Sequence, residues 1–192
     1  MVTGPDDGRW RIAGSLTVLP ATERLDLLAT PVVEALRALD PAEAARCGVV
    51  EIDPDVADTA EFCATYGSPL DASANCVVVS GKRGGEQRYA ACLILATTRA
   101  DVNGVVRRRL DVRKASFAPM DDAVASTGMA YGGITPFGLP EGWPLLIDAA
   151  VAAAPEVVIG SGLRNSKLLV PGEVLRKLPA AETLDGLARP IA

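Results

Sequence analysis

Aliphatic residues recur at spacings of three and four between residues 22 and 46. The repeating positions are Leu25, Leu28, Val32, Leu36 and Leu39. Side chains at these separations lie on one face of an α-helix. The spacing therefore predicts a helical segment over residues 22–46. Pro31 inside that segment indicates a division into two helices, because proline is disfavoured beyond the first helical turn.

Further along the chain, aliphatic runs bounded by turn residues are typical of strands. Residues 75–80 and 87–97 predict a hairpin whose turn is the glycine-rich segment 81–86. Shorter strands are predicted at residues 145–148, 157–159 and 166–170, and helices at residues 58–66, 101–110, 119–127 and 171–178. Strands and helices mix without a regular βαβ period, which favours an α+β fold with a mixed sheet over a doubly wound one.

The length of the chain fits one domain, and its composition includes no histidine. The chain has 192 residues, of which 49% are hydrophobic and 4% aromatic, so its core must consist mainly of aliphatic side chains. The absence of histidine excludes Ser-His-Asp and Cys-His catalytic pairs and histidine ligands for zinc. We therefore expect no metal site and no cofactor.

The cysteines and the apolar segments bear on the cellular compartment. Cys47, Cys63, Cys76 and Cys92 include no C-x-x-C pair, which favours buried free thiols over a zinc or dithiol site. The N-terminus carries Asp6, Asp7 and Arg9 instead of an apolar leader. No uncharged apolar stretch reaches the roughly 18 residues that a membrane span needs. We expect a soluble, cytoplasmic protein.

A basic segment lies within a chain whose net charge is −5. Residues 81–114 contain nine basic and three acidic residues; the basic ones are Lys82, Arg83, Arg88, Arg99, Arg107, Arg108, Arg109, Arg113 and Lys114. Such a patch is either an electrostatic footprint for a phosphate backbone or a solvated protein face. The overall acidity argues against broad nonspecific binding to nucleic acid.

Two glycine-rich segments carry the strongest local signals. Residues 126–140 contain a loop in which Gly132 and Gly133 permit close backbone approach and Pro136 stiffens the residues after it. We expect this loop at the surface, with its N–H groups free to hold an oxyanion, a carbonyl or a phosphate; the alternative is a structural turn. The second segment, residues 159–167, offers Arg164 and Lys167 to a phosphate or carboxylate, or leaves them as surface cations.

The motifs in these segments resemble a known family. The run Ser126-Thr-Gly-x-x-x-Gly-Gly-Ile-Thr-Pro-x-Gly, then Leu146-Ile-Asp-Ala149 and the Gly160-x-Gly-x-Arg164 turn, are similar to the YbaK/EbsC aminoacyl-tRNA deacylases, relatives of the editing domain of prolyl-tRNA synthetase. The resemblance spans roughly residues 55–188. It implies one domain with a mixed, barrel-like sheet flanked by helices. Residues 51–192 would form the editing domain, with residues 1–50 as a helical extension packed on it.

The resemblance also implies a function and a site. The function is freestanding trans-editing, in which the ester of a misacylated tRNA is hydrolysed by backbone donors and the terminal ribose hydroxyl of the substrate. The catalytic loop maps onto Gly132, Gly133, Ile134, Thr135 and Pro136, and the substrate-binding residues are Asn75, Gly160, Arg164 and Lys167. The implied partners are the aminoacyl-tRNA acceptor end and an aminoacyl-tRNA synthetase, with no DNA and no membrane.

Two positions depart from the family pattern. Active relatives carry a lysine where this chain has Asn75 or, with a shift of one residue, Ala74, and some carry an aspartate where this chain has Lys167. Positive charge therefore moves from one side of the expected pocket to the other. The alternative functions are a weak or inactive member that binds the tRNA 3′ end or a nucleotide-like ligand, and a purely structural module.

Overall fold

The computed structural model describes residues 10–191, whose strands form two main sheets and a short two-stranded ribbon. The strands are β1 (Leu19–Pro20), β2 (Gly48–Glu51), β3 (Ala74–Arg83), β4 (Glu86–Leu95), β5 (Thr98–Ala100), β6 (Ala115–Phe117), β7 (Leu145–Asp148), β8 (Val157–Gly160), β9 (Ser166–Val170), β10 (Ala181–Leu184) and β11 (Ala188–Pro190). The sheet orders are β1-β2-β9-β8 and β10-β7-β4-β3-β6, and β11 pairs with β5. Strand β7 runs parallel to β4 and β10, whereas the β3–β4 pair is antiparallel.

The two sheets meet beside the start of β3. A parallel bridge joins Ser73, which directly precedes β3, to Val158 in β8. On this side of β3, strand β6 pairs with Val79–Gly81. Within residues 10–191, β6 pairs with no residue of β3 before Val79. The beginning of β3 therefore borders a gap between β6 and β8. The arrangement confirms the predicted α+β fold with a mixed, barrel-like sheet flanked by helices.

Short helices cover the sheets. They are α1 (Thr30–Ala38), α2 (Pro41–Ala44), α3 (Thr59–Tyr66), α4 (Arg107–Leu110), α5 (Met120–Thr127), α6 (Ala149–Ala152) and α7 (Gly172–Leu175). Within residues 10–191 none of the helices is long and apolar enough to cross a membrane. Helices α3 and α5 end at Gly67 and Gly128, which have φ of 73° and 66° and directly follow the predicted helix ends at residues 66 and 127.

The predicted helical segment over residues 22–46, divided at Pro31, is helical from Thr30 onward but not before it. Ala21–Glu23 and Leu25–Leu27 form separate 3₁₀ turns, and α1 begins at Thr30 with Pro31 in its first turn. In the first turn of a helix the backbone N–H groups have no partner within the helix, so a proline there costs no hydrogen bond. In the interior of a longer helix the same proline would remove one. The proline therefore starts a helix instead of dividing one.

Other element bounds also differ from the predictions. The β3–β4 hairpin turns at Gly84 and Gly85, both with positive φ, so its strands are longer toward the turn than predicted. The helix predicted at residues 101–110 begins with a wide π-helical turn over Val102–Val106 and continues as α4. The helix predicted at residues 171–178 is shortened to α7.

The cysteines are free thiols of unequal burial. Cys47 and Cys92 are buried, whereas Cys63 and Cys76 are half-buried. Burial raises the pKa of both the Cys47 and the Cys92 thiol to about 12. These two thiols therefore stay protonated at neutral pH and behave as small apolar side chains.

Residues 10–50 supply strands as well as helices to the main core. Leu27, Val32 and Leu36 pack in the same buried cluster as Leu145 and Leu168 of the central strands. Strand β2 pairs with β9 from Gly48 to Glu51. The start of the predicted extension, residues 1–9, lies outside the described residues. The domain boundary at residue 50 stays a prediction.

The Leu36→Ala variant tests whether this segment is part of the cooperative unit. Leu36 is 2% exposed, so its truncation leaves a cavity and should lower the free energy of unfolding by about 2–5 kcal/mol. The measurement is urea denaturation, with the exposed neighbour Arg37→Ala as control, for which we expect a change within about 0.5 kcal/mol. Equal stability of both variants would show that the segment is not packed on the domain.

Candidate active site

A cavity of about 450 Å³ occupies the gap beside the start of β3. Its walls come from the first residues of α3, the open edge of β3, the β6–α5 connection, the loop after α5 and strands β8 and β9. Phe62, Val158 and Ile159 give it an apolar interior. Its size falls in the range of small-ligand pockets, about 300–1,000 Å³.

The structure brings part of the predicted site together at this cavity. The predicted residues that line it are Asn75, Gly132, Ile134, Gly160 and Lys167. Those that do not line it are Gly133, Thr135, Pro136 and Arg164. The predicted loop and the residues from three other elements therefore converge, although the middle of the loop turns away from the cavity.

Gly133 is buried against the second glycine segment. A Cβ atom on Gly133 would lie 2.6 Å from the carbonyl oxygen of Leu163, and one on Gly160 would overlap the Gly133 carbonyl. The two segments are joined by hydrogen bonds from Ala130 N to the Gly162 carbonyl (2.9 Å) and from Gly162 N to the Gly133 carbonyl (2.7 Å). The small size of Gly133 thus serves contact between two parts of the chain.

The expectation that this loop lies wholly at the surface was therefore wrong. Gly133, Thr135 and Pro136 are buried, whereas Gly132 is exposed. The Gly133 amide donates to the Ala130 carbonyl at 2.9 Å. The Thr135 hydroxyl is buried and has no hydrogen-bond partner in residues 10–191. Within residues 10–191, the cavity-lining residues of the loop whose amides have no hydrogen-bond acceptor are Tyr131, Gly132 and Ile134.

Lys167 places an amine inside the cavity wall. The residue is 7% exposed; its Nζ donates to the Ala57 carbonyl at 2.6 Å and lies 5.7 Å from the centre of the Phe62 ring. Burial lowers the pKa of the Lys167 ammonium below its ordinary value, and the Asp58 carboxylate partly opposes this effect. No carboxylate lies within ion-pair distance of this amine in the part of the chain that the structure describes.

The turn that begins α3 holds three of the predicted substrate-binding side chains. Ala57 accepts from Lys167, Asp58 forms an ion pair with Arg164 at 3.6 Å, and the Thr59 hydroxyl donates to the Asn75 side-chain carbonyl at 2.8 Å. Sequence reasoning missed these contacts, since Asp58 entered it only as the first residue of the helix predicted at residues 58–66. The sole sequence signal was a polar Asp-Thr pair at the predicted start of a helix.

Arg164 lies outside the cavity and braces its rim. Its guanidinium donates to the carbonyls of Tyr131 (3.4 Å) and Pro54 (3.2 Å). A Cβ on Gly132 would lie 2.7 Å from its Nη1, so the glycine also makes room for this side chain. Arg164 therefore positions the loop instead of lining the cavity.

A profile of the aminoacyl-tRNA editing domain matches residues 53–178, more than half of the chain. The chain belongs to the aminoacyl-tRNA editing domain family. Residues 10–52 fall outside the match, although they share the core of the editing domain. Family membership supports a deacylase-type role for the protein.

Solved structures share the editing-domain fold. A candidate trans-editing enzyme for prolyl-tRNA synthetase is 22% identical with a TM-score of 0.67, covering 82% of this chain and 97% of that one. The hypothetical protein APE2540 is 19% identical with a TM-score of 0.70, covering 83% and 99%. A candidate signal transduction protein from Marinobacter aquaeolei VT8 is 19% identical with a TM-score of 0.54; the match covers 84% of this chain and 31% of that longer protein. These likenesses establish the fold.

None of the nine basic residues in the segment 81–114 lines the editing-domain cavity. Of the three consecutive arginines in α4, Arg109 forms an ion pair with Glu182 at 2.6 Å and Arg107 donates to the Asn103 carbonyl. Arg88 donates to the Leu110 carbonyl. The contacts of this part of the segment are thus largely internal to the protein.

The Gly133→Ala variant tests the contact between the glycine segments. Because the added Cβ meets the backbone of Leu163, we expect a loss of about 2–3 kcal/mol in the free energy of unfolding. Gly142→Ala is the control: Gly142 has φ of 83° but no atom within 4 Å of its Cβ position, so backbone strain alone should cost about 1 kcal/mol. An unchanged stability of Gly133→Ala in urea denaturation would contradict the packing.

The lowered pKa of Lys167 makes stability depend on pH. In the interval between its folded-state pKa and its ordinary value of 10.5, the unfolded chain binds more protons than the folded one, so the cost of burying the ammonium is relieved as pH rises. Lys167→Met should therefore be more stable than the wild type at pH 7, and the difference should shrink toward pH 10. Each unit by which the pKa is lowered corresponds to about 1.4 kcal/mol.

The measurement is urea denaturation of both proteins from pH 7 to pH 10. Lys177→Met is the control, because that ammonium is half-exposed and paired with Glu43 at 2.6 Å, and its removal should not stabilise the protein. A difference between wild type and Lys167→Met that is independent of pH would rule out a lowered pKa.

Proposed function

We propose that this protein is a freestanding deacylase that hydrolyses the ester between a wrong amino acid and the 3′ end of tRNA. The observation that carries the proposal is the convergence of Asn75, Gly132, Ile134, Gly160 and Lys167 on one cavity of an editing domain. The apolar interior suits an amino-acid side chain, and the polar groups at its edge suit the ester and the terminal ribose.

The chemistry requires one addition and one cleavage. Water adds to the ester carbonyl, the bond between the carbonyl carbon and the ribose oxygen breaks, and the products are a free amino acid and a tRNA with a free hydroxyl. Negative charge develops on the carbonyl oxygen during the addition. The amides of Gly132 and Ile134 are the donors we assign to it, and one such donor typically contributes about 3 kcal/mol.

Lys167 is our candidate for the positive charge that relatives supply from the position of Asn75. Its amine lies in the wall of the same cavity, where it binds the Ala57 carbonyl and retains further N–H donors. A phosphate or a developing oxyanion is the group that such an amine would bind most strongly, since charge-assisted hydrogen bonds are about twice as strong as neutral ones. Asn75, whose side chain accepts from Thr59, would contribute a neutral contact beside it.

The test of the proposal is hydrolysis of a panel of radiolabelled misacylated tRNAs by the purified protein. We expect at least one to be deacylated faster than its spontaneous rate, while the correctly acylated tRNA is spared. Binding of uncharged tRNA without turnover of any substrate would favour an inactive family member. We also propose that the protein acts together with an aminoacyl-tRNA synthetase. Hydrolysis of the misacylated tRNA should therefore continue when the cognate synthetase is added.

The role of Lys167 is tested by variants at both positions. Lys167→Met removes a charge-assisted hydrogen bond and should lower the kcat/KM for deacylation at least about tenfold. Asn75→Lys should have little effect in the wild type, because a second ammonium in the cavity is repelled by the first. In the Lys167→Met background the same change should restore part of the activity, so the two effects are non-additive.

Lys177→Met serves as the matched control and should retain wild-type kcat/KM, because that lysine does not line this cavity. Additive effects at positions 75 and 167, or full activity of Lys167→Met, would remove Lys167 from the site.

A further inference from the structure

Asp58 supplies the only carboxylate among the cavity-lining residues that the structure describes. The other charged residue of the lining, Lys167, is 7% exposed and has its amine in the cavity wall, whereas the Asp58 side chain is 67% exposed. Asp58 therefore lies at the mouth of the cavity. A positive group on a molecule bound there has one carboxylate to pair with.

The helix that follows Asp58 does not use its carboxylate. An aspartate at the N-cap commonly accepts hydrogen bonds from backbone N–H groups of the first helical turn. Asp58 is the N-cap of α3, yet its side chain accepts no such bond. Within residues 10–191 its one ion-pair partner is Arg164, with 3.6 Å between Oδ1 and Nη1. That distance is too long for a hydrogen bond, so both carboxylate oxygens remain able to accept one.

The Asp58 carboxylate also lies beside a loop amide that we assign to the ester carbonyl. A Cβ atom on Gly132 would lie 3.7 Å from Asp58 Oδ1. Because an amide nitrogen and the Cβ of the same residue are about 2.5 Å apart, the Gly132 nitrogen and Oδ1 are no more than about 6 Å apart. Arg164 holds this arrangement, since its Nη1 donates to the Tyr131 carbonyl and pairs with Asp58.

An aminoacyl ester carries a positive group at a matching distance from its carbonyl. Its α-amino nitrogen lies about 3 Å from the carbonyl oxygen. With a hydrogen bond of about 3 Å at each end, the two groups reach partners up to about 9 Å apart, and a bent arrangement spans 6 Å. The carbonyl can therefore bind the Gly132 amide while the α-ammonium binds Asp58. A bond between ammonium and carboxylate is charge-assisted at both ends.

The neighbouring cations make this carboxylate necessary for an ammonium. Lys167 lies in the cavity wall and Arg164 at its rim, and both repel a further positive charge. Asp58 is the carboxylate of the lining that offsets this repulsion. An ester whose α-nitrogen is acylated has a neutral amide at that place, so it gains nothing from Asp58.

We propose that Asp58 is a specificity-determining residue that binds the α-ammonium of the aminoacyl ester and restricts the site to esters with a free α-amine. Peptidyl-tRNA and other N-acylated esters would then be spared. The inference rests on the proposed function, because it takes as ligand the ester whose carbonyl binds the loop amides. It gives the turn before α3 a part in the choice of substrate.

The experiment measures binding without turnover. The probes are 3′-(L-alanylamino)-3′-deoxyadenosine, in which an amide replaces the ester and resists hydrolysis, and its N-acetyl derivative. Alanine is chosen because its small side chain fits any pocket that takes a larger one. Titration calorimetry at about pH 6.5 keeps an α-amine with an ordinary pKa of about 8 protonated. The wild type should bind the free-amine probe at least about fivefold more tightly than the acetylated one.

The variant Asp58→Asn keeps the shape of the side chain and removes its charge. It should reduce the preference to within about twofold, by weakening binding of the free-amine probe. A purely structural role of Asp58, exerted through Arg164 on the loop, would weaken both probes by the same factor and leave the preference unchanged. That result would overturn the inference.

Glu61→Gln is the matched control. Glu61 is an exposed carboxylate on the same helix that does not line the cavity, so its removal changes the net charge by the same amount. This variant should keep the wild-type preference. A loss of preference as large as that of Asp58→Asn would show a general effect of charge and would contradict a specific contact.

The outcomes separate this inference from the proposed function. A preference for the free-amine probe that depends on Asp58, with no hydrolysis of any misacylated tRNA, would support the inference and overturn the deacylase. Hydrolysis of a misacylated tRNA by a protein whose preference is the same in Asp58→Asn and in the wild type would support the deacylase and overturn the role of Asp58. Equal binding of both probes by the wild type, or binding of neither, would also overturn it.

Discussion

Two glycine segments lie so close together that neither can carry a side chain where they touch. Gly133 faces the backbone of Leu163, and Gly160 faces the carbonyl of Gly133. A hydrogen bond joins the two segments, with 2.7 Å between the Gly162 nitrogen and the Gly133 carbonyl oxygen. This contact ties the loop after α5 to the end of β8. It thereby sets the position of the loop amides relative to the strands that form the rest of the cavity.

A second hydrogen bond, from Gly133 N to the Ala130 carbonyl, commits one amide of the loop to the fold. An amide that donates within the protein cannot also donate to a substrate, and the Gly133 amide is used in this way. Gly132 and Ile134, on either side of it, line the cavity instead. Neighbouring residues of the loop thus have different roles, and only Gly132 and Ile134 of the predicted run 132–136 line the cavity. The catalytic role of the run stays a prediction. Pro136 cannot supply an amide donor, because it has no N–H.

Local patterns in the sequence predicted the structure correctly where a single residue type determines the backbone conformation. The Gly84-Gly85 turn and the Gly128 end of α5 followed from glycine alone. The prediction of a helix before Thr30 was wrong because aliphatic periodicity does not reveal that Pro31 belongs to a first turn. The cavity could be predicted only in part, since Thr59 and Phe62 reach it through the packing of α3, and no motif marks them. Resemblance located the glycine segments, whereas their mutual contact depends on tertiary structure.

The polar side of the cavity depends on one turn of the chain. Ala57, Asp58 and Thr59 contact Lys167, Arg164 and Asn75 respectively, so three side chains from three distant parts of the sequence share one support. The side-chain carbonyl of Asn75 accepts a hydrogen bond from the Thr59 hydroxyl. A lysine at position 75 has no acceptor, so the Thr59 hydroxyl would lose this hydrogen bond. A cation entering from β9 avoids that conflict, since it uses the backbone carbonyl of Ala57. If the family places its cation at position 75, as the resemblance implies, we expect this site to keep one cation and to supply it from β9 through Lys167.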